Sequence, residues 1–314
     1  MSTKSILTQW SDVPRPMYGW VLTIEKIMRT LKLHSLNGSL INIFSDYSGQ
    51  HKTSKYEVLS ALYVDLDASR NWALNQRLLR QKFLPDGRRM AFKSLNDRYR
   101  QKALVPFLDA ANSIVGLLVT LIINKTINNL CVGKSDFEKA KTSLDLKLQW
   151  RVRDLERTLR VTHLIGLLIG GLSRPHQNIY WISDEDSIFA NQELTQELSV
   201  ILGKITGFYV QHELGELGLG TTAIDPGDRF EEDAAAIADL TAGGMAEAAN
   251  IIATKAGGRI PVTIAFPFGG RFSPKTETIS SWVWHSTGDL KKVVILFEKH
   301  GRKGYSVSRW DMEV

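Results

Sequence analysis

The chain has 314 residues, of which 43% are hydrophobic and 23% are charged, and its formal net charge is +6. This size and composition allow one large α/β domain or two smaller ones with a buried core. The single cysteine, Cys131, excludes an intramolecular disulfide and a cysteine-based zinc cluster. The most apolar runs, 114–123 and 161–172, are too short to span a bilayer. No signal peptide is visible, so we expect a cytoplasmic protein without a membrane partner.

The charges divide the chain into basic and acidic segments. Residues 67–102 contain ten lysines and arginines against three acids, and residues 255–303 contain nine against three. Between them, residues 184–247 contain fourteen acids and two bases. A carboxylate-rich segment between basic ones suits a metal site served by phosphate-binding surfaces. Solvated helix faces would produce the same asymmetry.

Hydrophobic periodicity in the first half predicts alternating helices and strands. The strand at 41–46 delivers Asp46 into a turn at Gly49, and the next strand forms a hairpin with it. The run at 114–123 is apolar throughout, which is typical of a central strand covered on both faces. The predicted helices are 20–33, 69–83 and 96–111, and the predicted strands are 41–46, 56–64, 89–92 and 114–123.

The second half continues this pattern and ends in a β-rich tail. A long helix is predicted from Ser135 to Leu172, and the strand after it delivers Asp184 and Asp186 into a turn. The remaining predicted helices are 191–203 and 231–252, and the predicted strands are 178–183, 207–212, 260–266, 278–285, 292–297 and 305–310. We therefore expect a helical extension at 1–38, a main domain at 39–253 and a small β-rich module at 254–314.

Acidic residues recur where these elements end or on one helix face. Asp46 and Asp184 follow strands, while Glu232 and Asp239 are seven residues apart and share a helix face. Carboxylates are the oxygen ligands that Mg²⁺ and Mn²⁺ prefer. Two-metal hydrolysis needs several of them around a pair of ions. The simpler alternative for Asp46 is a turn aspartate that accepts bonds from backbone N–H groups.

Short motifs give the chain a family resemblance. Four motifs appear in this order over residues 41–252: Asp46-Tyr47-Ser48-Gly49, Phe92-Lys93-Ser94, Trp181-Ile182-Ser183-Asp184 and Ile237-Ala238-Asp239-Leu240. This pattern resembles the RNase H-like superfamily, and most closely a nuclease-like domain family that opens with Asp-Glu-Ser-Gly. The resemblance implies an α/β fold with a mixed sheet flanked by helices. Tyr47 stands where that family has its second acid.

The resemblance also implies an activity. It assigns catalytic roles to Asp46, Asp184, Asp239 and Lys93, with Lys93 steadying phosphate charge. The expected Mg²⁺ or Mn²⁺ ligands are Asp46, Asp184, Asp186, Asp239 and Glu232. The expected function is a metal-dependent nuclease that hydrolyses phosphodiester bonds in DNA or RNA, in phage defence or a mobile element. The alternative is an inactive scaffold that binds nucleic acid, or a protein partner through the C-terminal module.

Two further patterns bear on phosphate binding. Residues 128–135 read Asn-Asn-Leu-Cys-Val-Gly-Lys-Ser, which approaches a P-loop, but Asn128 replaces the first glycine. We therefore favour an ordinary loop before a helix. The basic helix with Arg70, Arg77, Arg80 and Lys82 offers phosphate contacts, or else a solvated face.

Overall fold

The fold consists of one large mixed sheet with helices on both faces. The structure is a computed structural model that describes residues 18–31, 33, 36–183, 192–222, 225, 227–265, 272–285, 287–301 and 304–313. The strands are β1 (Leu40–Ser48), β2 (Tyr56–Asp65), β3 (Gly116–Asn124), β4 (Asn178–Ser183), β5 (Leu217–Thr221), β6 (Thr263–Ala265), β7 (Leu290–His300), β8 (Gly304–Arg309) and β9 (Asp311–Glu313). The helices are α1 (Gly19–Arg29), α2 (Arg70–Phe83), α3 (Arg98–Ala111), α4 (Phe137–Leu144), α5 (Val152–Leu172), α6 (Gln192–Tyr209), α7 (Phe230–Lys255) and α8 (Pro274–Trp284).

Seven of the strands share a sheet in the order β5-β4-β1-β2-β3-β7-β8. β1, β2 and β3 form an antiparallel meander, whereas β4 pairs in parallel with β1 and β7 pairs in parallel with β3. The predicted α/β class and the β1–β2 hairpin are therefore confirmed. β3 is buried at every position, as its continuous apolar sequence predicts.

Alternation along the strands separates two hydrophobic cores. Ile43 belongs to the core beneath α1, α4, α5 and α6, which we call the α5 face. Phe44, the next residue, belongs to the core beneath α2, α3, α7 and α8, which we call the α7 face. Successive side chains of a strand point to opposite faces, so neighbouring residues contribute to different sides of the molecule.

Two predictions for the second half of the chain differ from the structure: one long helix is two helices, and one strand is absent. The helix predicted for 135–172 is two helices, because Asp145 adopts a left-handed conformation with φ 56° and ends α4. The Glu197 carboxylate then accepts the Leu148 N–H at 2.7 Å and the Trp150 indole N–H at 2.6 Å, which holds the break. The strand predicted for 207–212 is wrong, since α6 continues to Tyr209 with Ile201, Ile205 and Tyr209 buried along one stripe, and residues 210–212 form no strand.

Two further predicted strands are wrong. Residues 89–92 form no strand and lead into a short 3-10 turn, because the Phe92 N–H donates to Asp239 instead of to a neighbouring strand. Residues 278–285 lie almost entirely in α8. Ser273 caps this helix by accepting the Thr276 N–H, and Pro274 occupies its first position, where the fixed φ favours a helix start.

The terminal regions are joined to the main body. Trp20, Val21, Ile24 and Met28 of α1 are buried in the core of the α5 face. The separate C-terminal module expected for 254–314 is replaced by an extension of the main sheet, because β7 pairs with β3 over eight positions and β8 follows. Only β6 and β9 form a small sheet of their own among the described residues. None of the helices in the described ranges is long and apolar enough to cross a bilayer.

Candidate active site

A cavity of about 260 Å³ opens on the α7 face where β1, the segment before α3 and α7 meet. We call it the Asp46 cavity. Four of the predicted site residues line it: Asp46, Lys93, Glu232 and Asp239. They are separated by up to 193 positions in the chain, so only the tertiary fold brings them together. The other described lining residues are Ser45, Tyr47, Ser48, Arg89, Met90, Ala91, Phe92, Thr222, Ala235, Ala236 and Gly243.

Asp46 lies inside β1, two residues before its last residue, where it pairs with Ser60 of β2. The predicted turn comes after Ser48 instead of directly after Asp46. Gly49 makes that turn with φ +77°, and a Cβ at this position would lie 2.1 Å from the Tyr56 carbonyl oxygen. Asp46 is half-buried, so its carboxylate stands at the inner wall of the cavity and remains reachable.

One face of α7 forms the opposite wall. Glu232, Ala236 and Asp239 line the cavity together, as their predicted helical spacing requires. Gly243 continues this face, and a Cβ there would lie 2.3 Å from the Phe92 ring. Small residues on α7 therefore allow Phe92 to pack directly against the helix backbone.

Asp239 is tied to the segment that carries Lys93. Its carboxylate accepts the Phe92 N–H at 2.6 Å. Lys93, the next residue, is exposed at the cavity rim. Lys275 of α8 stands 4.0 Å from the Phe92 ring centre and adds a further positive charge beside this segment. The hydrogen bond orients Asp239 and, through the backbone, places Lys93 on the same cavity.

Glu232 has the right position but is engaged in ion pairs. One of its oxygens lies 2.5 Å from the Arg89 guanidinium, and the other contacts Arg229. Its side chain is 9% exposed, whereas that of Arg89 is 60% exposed. To bind a metal ion, Glu232 would have to exchange these partners for the ion.

Asp184 and Asp186 lie outside the described residues. The last described residue before them is Ser183, at the end of β4, which pairs with Ser45 of β1. Ser45 accepts the Trp181 indole N–H at 2.8 Å, so this strand end is fixed beside β1. The proposed roles of the two aspartates remain predictions.

Tyr47 turns away from Asp46. Its ring packs against the core of the α5 face, and the Arg157 guanidinium carbon stands 4.7 Å from the ring centre. The Tyr47 and Ser45 hydroxyl groups are 3.2 Å apart on the same side of β1. Because strand residues alternate, an acid at position 47 of this structure would face the α5 side.

A different carboxylate cluster stands at the start of α7. Among the described residues, Asp225, Asp228 and Glu231 are the acids whose oxygens lie within 4.8 Å of one another. Asp225 accepts the N–H groups of Gly227 and Arg229, so it organises the turn into the helix. Burial, with the neighbouring aspartates adding to it, raises the pKa of Glu231. This cluster was not predicted, and capping of α7 accounts for its position.

One arginine of the basic helix α2 that was considered as a phosphate contact is instead buried in an ion pair. Arg80 forms a two-pronged ion pair with Asp233, with distances of 2.5 and 2.6 Å, and both side chains are buried. Arg80 therefore joins α2 to α7 and is not available to phosphate. Thr222, directly after β5, also lines the Asp46 cavity, and no sequence pattern singles it out.

No protein-family model and no curated protein matches this chain. The class of the molecule is therefore known at the level of its architecture, an α/β protein with a mixed sheet covered on both faces. The geometry of the Asp46 cavity is the basis on which a function can be assigned.

Proposed function

We propose that this chain is a divalent-metal-dependent nuclease of the RNase H-like superfamily that hydrolyses phosphodiester bonds in DNA or RNA. The observation that carries the proposal is the meeting of Asp46, Asp239 and Lys93 in one cavity. Acids and a cation from three distant segments suit a site that holds a metal ion beside a phosphate. The motif resemblance adds support, and it also suggests a setting in phage defence or a mobile element.

The donor groups fit Mg²⁺ or Mn²⁺. Asp46 and Asp239 present carboxylate oxygens, which are hard ligands suited to these ions. Asp184 and Asp186 are the proposed additional ligands. A divalent ion bound there would supply water activation and stabilisation of the leaving oxygen.

The protein groups around the cavity would position the substrate. The Phe92 N–H holds the Asp239 carboxylate in one orientation. Lys93 and Arg89 place positive charge at the rim, where a phosphate would approach. We assign to Lys93 the role of steadying the charge on that phosphate, and to Asp46 and Asp239 the role of holding the cation.

The second candidate is an inactive scaffold of the same architecture that binds a nucleic acid or a protein. The arrangement of Glu232 favours it, because both carboxylate oxygens are taken up by Arg89 and Arg229. Tyr47 also supports the scaffold, because it stands where the resembled family has its second acid and its ring packs on the α5 face. A site with fewer acids would hold metal more weakly.

Isosteric substitutions test the nuclease proposal. We expect Asp46→Asn and Asp239→Asn each to reduce Mg²⁺- or Mn²⁺-dependent cleavage of a DNA and RNA panel by about 100-fold or more. An asparagine at 239 can still accept the Phe92 N–H, so folding is expected to persist. Asp109→Asn, at an exposed position of α3, is the matched control and should cleave normally. Unchanged cleavage in both site variants would refute the proposal.

Calorimetric titration with Mn²⁺ separates the nuclease from the scaffold. The nuclease should bind Mn²⁺, and Asp46→Asn and Asp239→Asn should weaken that binding, whereas Asp109→Asn should not. A folded wild-type chain with no Mn²⁺ affinity would favour the scaffold.

A further inference from the structure

A second, larger opening lies on the α5 face. This basic cleft, of about 810 Å³, is formed by the loop after β3 and the first half of α5. Its size is in the range of small-molecule sites, roughly 300–1,000 Å³. Its described lining residues are Glu57, Lys125, Ile127, Asn128, Asn129, Gly133, Lys134, Ser135, Val152, Arg153, Glu156, Arg157 and Arg160.

Positive charge dominates this lining. Five of the lining side chains are cations and two are acids, Glu57 and Glu156. The cleft therefore has a formal charge of +3 from its described residues. A concave surface with an excess of one sign concentrates ligands of the opposite sign.

The loop amides that would bind a phosphate in a P-loop are already occupied. Glu156 is 4% exposed, and its carboxylate accepts the N–H groups of Leu130, Cys131 and Val132 at 2.5 to 3.2 Å. The same carboxylate pairs with Arg160 at 2.9 Å. An internal acid thus fills the backbone anion site, which agrees with the prediction of an ordinary loop at 128–135. A ligand in the cleft would therefore contact side chains, not these backbone N–H groups.

The second acid is also paired. Glu57 lies 3.1 Å from Arg157, whose guanidinium stacks on the Tyr47 ring. These contacts hold the Arg157 and Arg160 side chains in place in the lining of the cleft. They also neutralise both acids of the cleft, so neither is left to oppose an anionic ligand.

Among the residues that the structure describes, three cations of the cleft form no ion pair with an acid: Lys125, Lys134 and Arg153. Lys125 donates to the backbone carbonyl groups of Gly49 and His51, which position its ammonium group without neutralising it. Burial lowers the pKa of Lys125, and Arg153 acts in the same direction while Glu57 opposes both. Lys134 and Arg153 are exposed and form no ion pair with another described residue.

The N-terminal end of α5 adds to the positive electrostatic potential of the cleft. Val152, the first residue of this helix of 21 residues, lines the cleft. Its N-cap residue, Arg151, makes no side-chain capping hydrogen bond. The N-terminal end of a helix carries a partial positive charge and favours anions. The helix end and the three cations therefore act on the same opening.

We propose that the basic cleft binds an oligophosphate group, in the form of a nucleoside di- or triphosphate, through Lys125, Lys134 and Arg153. Two or three linked phosphates match three neighbouring cations within one bounded opening better than a single phosphate does. No aromatic side chain is among the described lining residues, whereas surfaces that bind single strands usually stack bases on aromatic rings. A free nucleotide is therefore favoured over a nucleic-acid strand.

Calorimetric titration tests this site with metal removed by EDTA, so that the Asp46 cavity does not contribute. The probes are ATP, inorganic tripolyphosphate and a single-stranded oligonucleotide, in a buffer of physiological ionic strength that screens weak surface attraction. We expect ATP to bind, and the double variant Lys134→Glu/Arg153→Glu to weaken it by about tenfold or more. The matched control is Arg98→Glu/Lys102→Glu on α3, which makes the same charge change on exposed residues of the opposite face.

The outcomes are distinct. Binding of ATP, with or without tripolyphosphate, that is lost only in the cleft variant supports the proposal. Binding of the oligonucleotide alone overturns it, as does equal weakening in the α3 control or an absence of binding by the folded wild type. Asp46→Asn and Asp239→Asn should bind ATP normally, so failure of the nuclease proposal would leave this test unaffected. Circular dichroism confirms that each variant is folded.

Discussion

The Asp46 cavity and the basic cleft lie on opposite faces of the sheet at the same end of its central strands. Both are lined by acids and bases, but the acids are used differently. In the cavity, arginines pair with Glu232, whereas a backbone N–H donates to Asp239 and orients it. In the cleft, arginines neutralise Glu57 and Glu156. The charge that a pocket offers to a ligand thus depends on which groups the fold has already paired.

Two adjacent residues of β1 show how closely the two regions are connected. Asp46 lines the cavity, while the ring of Tyr47 supports Arg157 on the cleft side. The period of two in a strand makes this division unavoidable. A single strand end therefore contributes to both sites.

The largest effect should come from breaking the buried pairs that hold each region. Arg80→Ala leaves Asp233 buried beside α2, and Glu156→Ala removes the closest ion pair of Arg160 and leaves three loop N–H groups without their acceptor. We expect each to lower the free energy of unfolding by about 3–5 kcal/mol, because an uncompensated buried charge is costly. Urea denaturation measures the loss.

The control is Arg77→Ala, on the same helix as Arg80. Arg77 lies 3.6 Å from Asp228 and is 63% exposed, so its pair should contribute less than about 1 kcal/mol. Hydrogen exchange should show faster exchange at residues 130–132 in Glu156→Ala but not in Arg80→Ala. Equal losses in Arg77→Ala and Arg80→Ala would contradict the distinction between buried and exposed pairs.

The acid pairing explains which parts of the site were predictable. The spacing of Glu232 and Asp239 places both on one helix face, and this is confirmed because the property is local. The partners of Glu232 are set by tertiary packing around Arg89, which lies 143 positions away. The burial of Arg80 against Asp233 is of the same kind. Periodicity identifies a face, but it does not identify what the face meets.

The element predictions follow the same rule. Strands such as β3 were predicted because their apolar run is continuous, so one local pattern extends over the whole element. The break between α4 and α5 depends on Glu197, about fifty positions further along the chain. At 278–285, β-branched and aromatic residues favour a strand, yet the Ser273 cap and Pro274 begin a helix.

The next largest effect is a pH dependence of the unfolding free energy that arises on the α5 face. His163 of α5 lies among aromatic rings, and burial lowers its pKa from 6.5 to about 4. Between pH 6.5 and about 4 the unfolded chain binds a proton that the folded chain does not, so stability falls as pH decreases through this window. The loss should reach about 3 kcal/mol. His163→Phe should flatten this part of the pH profile in urea denaturation, and an unchanged slope would contradict the assignment.

A smaller effect should follow from filling the close approach of α7 to Phe92. Gly243→Ala places a methyl group 2.3 Å from the Phe92 ring, so the ring and the backbone that holds Asp239 must shift. We expect a loss of about 1–3 kcal/mol in unfolding free energy, together with weaker Mn²⁺ binding. Calorimetry and urea denaturation measure the two effects.

The matched control on the other face should change stability with the opposite sign. Gly203 of α6 has no atom within 4 Å of an added Cβ among the described residues. Gly203→Ala should therefore stabilise the chain by roughly 0.5–1 kcal/mol through helix propensity alone. Equal destabilisation by both substitutions would mean that the contact with Phe92 is not responsible.

The smallest expected effect concerns Glu232. Because its oxygens are paired with Arg89 and Arg229, we expect Glu232→Gln to change Mn²⁺ affinity by less than about threefold, or ~0.6 kcal/mol. Asp239→Asn should weaken the same binding by more than tenfold. A loss in Glu232→Gln as large as that in Asp239→Asn would show that Glu232 leaves its arginines to ligate the ion. The five-acid metal site predicted from the sequence would then regain its fifth member, and the case for a scaffold would lose its main support.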